Sequence, residues 1–449
     1  MRGRLAGVVL TGIMLVASLS LANVAVFGGN GPGKQLEATV PIEGAEWTIM
    51  VYLDADNNLE PYGLMDLAEM EAVGSVDGIN VVVLMDTYTA IPKTHWYVLD
   101  GPNESHVVLD EFGVYQSTCD CKLIAGGCPD ELNMGDPETL KTFVATAMDK
   151  APADHYMIDL WDHGGGWYGL CTDDTGNETG VRDSLSLDEM ANGIANGIAA
   201  ALEDREKLDI IASDACFMGT IEVAYECRNI GEYMVASVTT VPGFGWDYTM
   251  FLDYVHAIEE DRTASLVCDA TVNAYVDSYE IYCAGAGIGG YPYVSCSKMV
   301  LGEFDALVGV GEDIGVDKLS DKLLELVADY SYRGAIESAE SRTPQIQFMG
   351  EIFPFADLGS LLLLLGEKIP EELGTLTDET FKLLSAAVPY WRSITTEGGA
   401  EACINTYGIS IYFTQSVEKY RDYYGAEERG IDFALDTNWD EFLDLFCMD

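Results

Sequence analysis

The sequence predicts an α/β protein with a mainly parallel central sheet flanked by helices, plus a C-terminal α+β region. Three observations carry this reading. Apolar runs that look like buried strands recur through the first half of the chain and alternate with stretches at helical spacing. Two of these runs, Tyr156 to Trp161 and Leu208 to Ala212, are each followed within a few residues by a reactive side chain and a small-residue turn. Beyond about residue 250 the pattern becomes more helical, with later strands standing out at Tyr293 to Ser297 and Gly408 to Phe413.

The elements follow in order. Trp47 to Leu53 is a strand, and Asp54 to Asn58 is a polar turn. A helix then runs to about Val73 and stops at Gly74, with Asn58 as its N-cap and Pro61 in its first turn. Asn80 to Met85 is a second buried strand. Trp96 to Leu99 and His106 to Leu109, split by Gly101-Pro102-Asn103, read as a hairpin. Asp136-Pro137 opens a helix to Lys150, after which comes the strand leading to His163. Ser186-Leu187-Asp188-Glu189 is a capping box, and Leu187, Met190, Ile194, Ile198 and Leu202 continue as a helical stripe. The strand leading to Cys216 is followed by a helix from about Gly219 to Cys227 and a strand from Tyr233 to Val238.

The chain has 449 residues, with 75 acidic and 23 basic side chains and a net charge of −52. That balance excludes nucleic acid as a partner, because phosphate binding needs a basic footprint. It favours cationic peptides and opposes anionic membranes; as a bland alternative it serves solubility. Residues 1–25 read as a signal peptide or membrane anchor, with Arg2 and Arg4 ahead of an apolar run and Ser20-Leu21-Ala22 as a small-x-small site. Either reading places the rest outside the cytoplasm, extracellular or at the cell surface, and a membrane is a partner only if this segment stays uncleaved. Residues 26–45 read as a linker, 46–289 as the main domain, and 290–449 as a region completing or flanking it. The 11 cysteines are an odd number, which in an exported chain leaves one unpaired. Cys119, Cys121 and Cys128 form a loop cluster better suited to disulfides than to zinc.

His163 and Cys216 are the two side chains a thiol hydrolase needs, and buried parallel strands deliver their C-terminal ends to a common crevice. Cys216 precedes a helix whose free N–H groups would stabilise a thiolate and hold an oxyanion; the alternative is a buried structural cysteine. His163 precedes three glycines, so the Gly164 N–H can approach a substrate carbonyl. Asp162 neighbours His163 on a strand end and points to the other face, so a dyad fits better than a triad. His95, His106, His155 and His256 read as structural or surface residues.

This pattern, a strand ending in His-Gly and a later one ending in Ala-Cys, resembles the caspase-like cysteine peptidases and, within them, the clostripain family. Trp47 to Glu60, Trp161 to Trp167, Pro242 to Tyr248, Tyr407 to Phe413 and Gly430 to Phe433 are similar to that family's motifs, in order. The resemblance implies a caspase-like fold and a secreted cysteine endopeptidase acting through an acyl-enzyme on polypeptides. Cys216 would attack, His163 would protonate the leaving amine, and the N–H groups of Gly164 and Cys216 would form the oxyanion hole. Asp214, two residues before Cys216 and on the same strand face, would sit at the base of the pocket for a basic residue before the cut. Thr240, Trp246 and Asp247 belong to the expected pocket wall. Val238 to Val241 lack the acids that relatives often carry there, which leaves Asp247 as the candidate second charge.

The family also implies self-processing between the His and Cys segments, where Arg182 is the best-placed basic residue. No cofactor is needed for the chemistry. Calcium, on which some relatives depend, stays open: Asp54 to Asn58 and Asp173 to Glu178 are oxygen-rich, although neither is an EF-hand and turn chemistry accounts for both. Two other readings remain: a peptidase or transpeptidase of non-basic specificity, and a non-catalytic surface binding protein on the same fold.

Overall fold

Strand β1 (Ala45–Ala55) is buried along nearly its whole length and shows how the core is divided. Met50 and Tyr52 point into one hydrophobic cluster, while Ile49, Val51 and Leu53 point into another. This period-two alternation with both faces apolar is what a central strand covered by helices on each side requires. The computed structural model describes residues 41–89, 94–99, 107–109, 115–117, 131–176, 182–259, 261–286, 294–348, 351–394, 406–414, 424–426 and 430–448. The leader and most of the linker, at residues 1–40, lie outside them, as do His106 and Cys119, Cys121 and Cys128.

The remaining strands are β2 (Ile79–Thr87), β3 (His95–Val98), β4 (Val107–Leu109), β5 (Tyr115–Ser117), β6 (Ala153–Trp161), β7 (Leu170–Asp173), β8 (Asp183–Leu185), β9 (Leu208–Asp214), β10 (Gly231–Ser237), β11 (Val294–Val300), β12 (Gln345–Phe348), β13 (Glu351–Asp357), β14 (Tyr390–Ile394) and β15 (Ser410–Tyr412). An eight-stranded sheet runs β14-β11-β10-β9-β6-β1-β2-β3. Its middle five strands, β10 to β2, are parallel, and antiparallel pairings add β3 at one edge and β11 and β14 at the other. One face carries the helices Pro137–Lys150, Leu187–Ala201 and Ile221–Cys227. The other carries Glu60–Val73, Tyr248–His256 and Ala264–Ala286. The fold class is thus the α/β sandwich expected. β11 and β14, from the C-terminal region, are strands of this same sheet. A small antiparallel sheet, β12-β13-β15, meets the turn after β9 through a bridge between Thr220 and Ser410.

Local chemistry sets several boundaries as anticipated. The Asp136 side chain caps the helix starting at Pro137, and Ser186 and Glu189 form the reciprocal capping box. Leu187, Met190, Ile194 and Ile198 are buried, but Leu202 lies past the helix end and is exposed.

Tertiary packing overturned three other expectations. β3 pairs with β2, and β4 pairs with β5, so the hairpin joining Trp96–Leu99 to His106–Leu109 does not form. The reason is burial: Trp96 packs on Phe143 within the core, which holds β3 at the edge of the main sheet. Asn58 is not the N-cap of the first helix; Leu59 occupies that position and its N–H is taken by Asn57 Oδ1. The helix after Cys216 begins at Ile221 with Thr220 as its cap.

Candidate active site

β6 and β9 are neighbours in the sheet, and their register pairs Met157 with Ile210 through Trp161 with Asp214. This offset of 53 residues is also the spacing from His163 to Cys216, so both segments leave the sheet at the same end, side by side. Their backbones touch: a Cβ placed on Gly164 would stand 2.4 Å from the Cys216 carbonyl oxygen and 3.1 Å from its nitrogen. Only glycine fits there. Both expected oxyanion donors, the Gly164 and Cys216 amides, therefore belong to one contact.

The turn after Cys216 is tightly fastened. Phe217 has φ +62°, an unusual conformation for a bulky residue, and its N–H donates to the Thr239 carbonyl at 2.9 Å. The Gly219 N–H donates to Ser237, and the Gly219 carbonyl accepts from Ser410 of β15. A non-glycine residue held at positive φ beside a reactive group is a common mark of functional sites. The Val241 N–H donates to Cys216 Sγ at 3.2 Å.

Burial pushes the Cys216 thiol up to about 11, with Asp214 and Asp162 adding to the rise and the Val241 N–H opposing it. The expected thiolate stabilised by a helix N-terminus is therefore corrected: Ala215 to Thr220 separate β9 from the helix, and desolvation dominates. Burial and the positive charge of Arg182 push His163 down to about 4. The resting pair is a neutral thiol and a neutral imidazole. His163 Nε2 lies 3.0 Å from Asn58 Oδ1. With the amide oxygen as acceptor, Nε2 carries the proton and Nδ1 is left with its lone pair. Asp162 points away, accepting from Asn57 Nδ2 at 2.7 Å and from the Thr172 N–H, which leaves His163 without a carboxylate partner from its own neighbour.

Asp214 ends β9, two residues before Cys216. Its Oδ2 accepts the Trp246 N–H at 2.8 Å and faces the Tyr248 hydroxyl at 3.4 Å, while Oδ1 is buried with no hydrogen-bond partner. Asp66 is beside it: a Cβ on Gly245 would stand 2.5 Å from Asp214 Oδ2 and 3.2 Å from Asp66 Oδ2. Burial and neighbouring carboxylates hold both acids well above the usual carboxylate range, Asp159 acting on Asp214, and Glu69 then Asp214 acting on Asp66. Glu69 is pushed up to about 8 by burial and Asp247. Asp66, Asp159 and Asp214 thus form a buried cluster of acids.

The other expected pocket residues take different parts. Trp246 is buried and reaches Asp214 through its backbone. Asp247 caps the helix Tyr248–His256 by accepting the Met250 N–H, so Asp66 rather than Asp247 is the second acid beside Asp214. Thr240 lies between Thr239, which holds Phe217, and Val241, which holds Cys216. Arg182 pairs with Asp174 at 3.1 Å. His155 stacks on Trp47 and His256 meets the Val76 carbonyl, in keeping with structural roles. Six of the described cysteines are free; five are buried, and Cys216 is the one with partial exposure. The expected pairing does not extend to these, because buried apolar packing keeps them as thiols.

Sequence reading missed Asn58, Asp66 and Asp159. A signal existed for two of them. Asp66 sits among Leu64, Leu67 and Met70 on the buried helix face, and Asp159 interrupts an otherwise apolar strand. Asn58 carried none beyond its turn-like neighbours.

A cysteine and a histidine delivered by adjacent parallel strands, in a sheet of this order, is the arrangement of the caspase-like cysteine peptidases. The clostripain family model matches residues 51–301, more than half of the chain, and the chain belongs to that family. Clostripain of Hathewaya histolytica is 31% identical over 230 residues, which is 47% of this chain and 42% of that protein's length. The chain thus spans less than half of this curated relative. Among solved structures, a secreted C11 cysteine protease of Bacteroides thetaiotaomicron bound to an irreversible peptide inhibitor has the same fold, with TM-score 0.58 and 21% identity. The alignment covers 88% of this chain and 100% of that one. An inactive zymogen C11 protease of Parabacteroides distasonis aligns with TM-score 0.53 and 18% identity, over 90% and 99% of the two chains.

Proposed function

We propose that the protein is an exported cysteine endopeptidase that cuts polypeptides after Arg or Lys. One observation supports the specificity: the Asp214 carboxylate, two residues before Cys216 and close enough to act on its thiol, is buried with Asp66 beside it and Oδ1 unpartnered. A guanidinium or ammonium entering that space would supply the missing partner and return the proton-holding acid to its charged form.

The chemistry follows from the resting protonation. Because burial keeps Cys216 as a thiol, His163 Nδ1 takes its proton as the sulfur attacks the scissile carbonyl carbon. The carbonyl oxygen becomes an oxyanion held by the Gly164 and Cys216 N–H groups. His163 then donates the proton to the leaving amine, and water hydrolyses the thioester. Asn58 keeps the imidazole in the useful tautomer and orientation. For self-processing, Arg182 is the proposed cut: it lies between the His163 and Cys216 segments, and its charge reaches His163.

The test uses fluorogenic peptides ending in Arg, Lys, Leu or Asp on wild type and Cys216→Ala, under reducing conditions. Cleavage after Arg or Lys that disappears in the variant supports both nucleophile and pocket. Cleavage only after Leu or Asp discards Asp214 as the selector. Absence of cleavage by folded, processed protein favours the binding-protein reading. Fragment mapping tests Arg182, and a cut that persists in Cys216→Ala overturns self-processing.

A further inference from the structure

One side chain from the C-terminal region reaches both turns of the candidate site. Phe355 lies in β13, beyond the residues 51–301 matched by the family model, and is buried. A Cβ placed on Gly166, three residues after His163, would stand 2.8 Å from Phe355 Cζ and 3.0 Å from its Cε1. The same ring stacks on Phe217, the residue after Cys216, with centroids 5.5 Å apart and planes at 22°. Gly166 (φ +60°) and Phe217 (φ +62°) both have left-handed backbone, so each turn bends sharply where it meets Phe355.

A second set of contacts fixes that ring. Phe355 is paired with Tyr412 in the small sheet. The Tyr412 N–H at 2.8 Å and the Tyr424 hydroxyl at 3.0 Å both donate to Glu222 Oε1, and Glu222 is buried in the helix Ile221–Cys227 that follows the Cys216 turn. The Ser410 N–H donates to the Gly219 carbonyl at 3.1 Å. On the histidine side, Trp167 packs edge-on against Tyr412 and Tyr424, with centroids 5.1 Å and 5.0 Å apart. The small sheet is thus fastened to both turns, and Phe355 lies against both.

We propose, taking Cys216 and His163 as the reacting pair, that Phe355 is a positioning residue that sets their separation. His163 is held by Asn58 and Cys216 by Val241, so the distance between them depends on how the two turns pack. Both groups rest uncharged, so no ionic attraction draws them together. A ring wedged between the turns supplies the constraint, because close-packed side chains transmit displacement rather than absorb it. Proton transfer from Cys216 Sγ to His163 Nδ1 needs hydrogen-bond reach. A shift of about 1 Å between reacting groups costs on the order of 100-fold in rate.

The same wedge accounts for a glycine in the His163 turn. Any side chain at position 166 would collide with Phe355 and approach the Phe217 carbonyl oxygen at 3.3 Å. Catalytic geometry therefore depends on chain beyond the family match, through packing and without contact between Phe355 and the reacting atoms.

The experiment compares full-length wild type, Phe355→Leu, Phe442→Leu and Cys216→Ala. Phe442 is also buried, in the helix Trp439–Met448, and packs on Phe413, Trp439 and Phe446. Melting temperature, kcat and KM on peptide substrate are measured near neutral pH, with the rate of iodoacetamide alkylation at Cys216 mapped by mass spectrometry. The expected result is a similar drop in melting temperature for the two Leu variants. Phe355→Leu alone should lose about tenfold or more in kcat, with KM within about twofold and alkylation slowed alongside kcat. Phe355→Met, closer in volume, replaces the Leu variant if that one melts below the assay temperature, and carries the same expectation. Equal kcat losses in Phe355→Leu and Phe442→Leu would overturn the proposal by showing a general packing effect. Wild-type kcat and alkylation in folded Phe355→Leu would overturn it outright. Alkylation is independent of the residue before the cut, so a failed basic-residue specificity leaves the proposal standing. Full activity in Cys216→Ala would discard the reacting pair, and the proposal with it.

Discussion

Replacing Gly164 by alanine adds one methyl group at the contact that assembles the site. The new Cβ would stand 2.4 Å from the Cys216 carbonyl oxygen, 3.0 Å from Ala215 Cβ and 3.1 Å from the Cys216 nitrogen. Ordinary contact between such atoms is about 3.5 Å, so the Cys216 backbone must retreat by roughly 1 Å. Its neighbours resist: Phe217 and Gly219 are hydrogen-bonded to Thr239 and Ser237, and Gly219 to Ser410. Misplacement of reacting groups by about 1 Å costs on the order of 100-fold in rate. The overpacking itself should destabilise by about 1–3 kcal/mol. The assay is kcat/KM on an Arg peptide, with circular dichroism melting to show that the variant folds. Gly165→Ala is the control, since its Cβ would meet Tyr168 Cβ at 3.1 Å, away from Cys216, and its expected effect is under about tenfold (roughly 1.4 kcal/mol). A folded Gly164→Ala protein as active as Gly165→Ala would refute the reasoning.

Four further outcomes are expected. Asp214→Asn should lower kcat/KM for Arg peptides by roughly 10–150-fold, from about 1.5–3 kcal/mol per charged hydrogen bond, while sparing Leu peptides; equal losses on both would show a structural role instead. The acid limb of kcat/KM should fall near pH 4, where His163 gains its proton, and a limb near the ordinary imidazole value would contradict the buried neutral dyad. Asn58→Ala should reduce kcat with little change in KM, and Asn58→Asp should move the acid limb upward by stabilising the imidazolium; an unmoved pH profile in Asn58→Asp would count against a positioning role. Stability should decline as pH rises. Asp86 and Glu69 are raised to about 9 and about 8, so the folded state binds more protons than the unfolded state above the ordinary carboxylate range. Their contribution is full below about pH 4 and is lost as pH climbs through those values, so urea midpoints at pH 5 should exceed those at pH 9. The opposite order would show that these acids are ionised in the fold.

Much of this protein could be read from local chemistry alone. Apolar alternation and caps depend on residues within a few positions of one another, so β1, β2, β6, β9 and the helices Pro137–Lys150 and Leu187–Ala201 were visible. The His-Gly and Ala-Cys strand ends were legible for the same reason, and their 53-residue spacing is repeated in the strand register. Tertiary structure decided whatever depends on a partner distant in sequence. It moved β3 away from its apparent hairpin by burying Trp96, and it placed β11 and β14 in the main sheet. It gave Asn58 to His163 rather than to a helix cap, and it set Asp66 beside Asp214 while assigning Asp247 to a cap. It also gathered Asp56, Asp86, Glu131 and Asp173. Burial of the thiol, imidazole and acids is likewise a property of packing, and it set protonation states that no spacing of residues could have foretold.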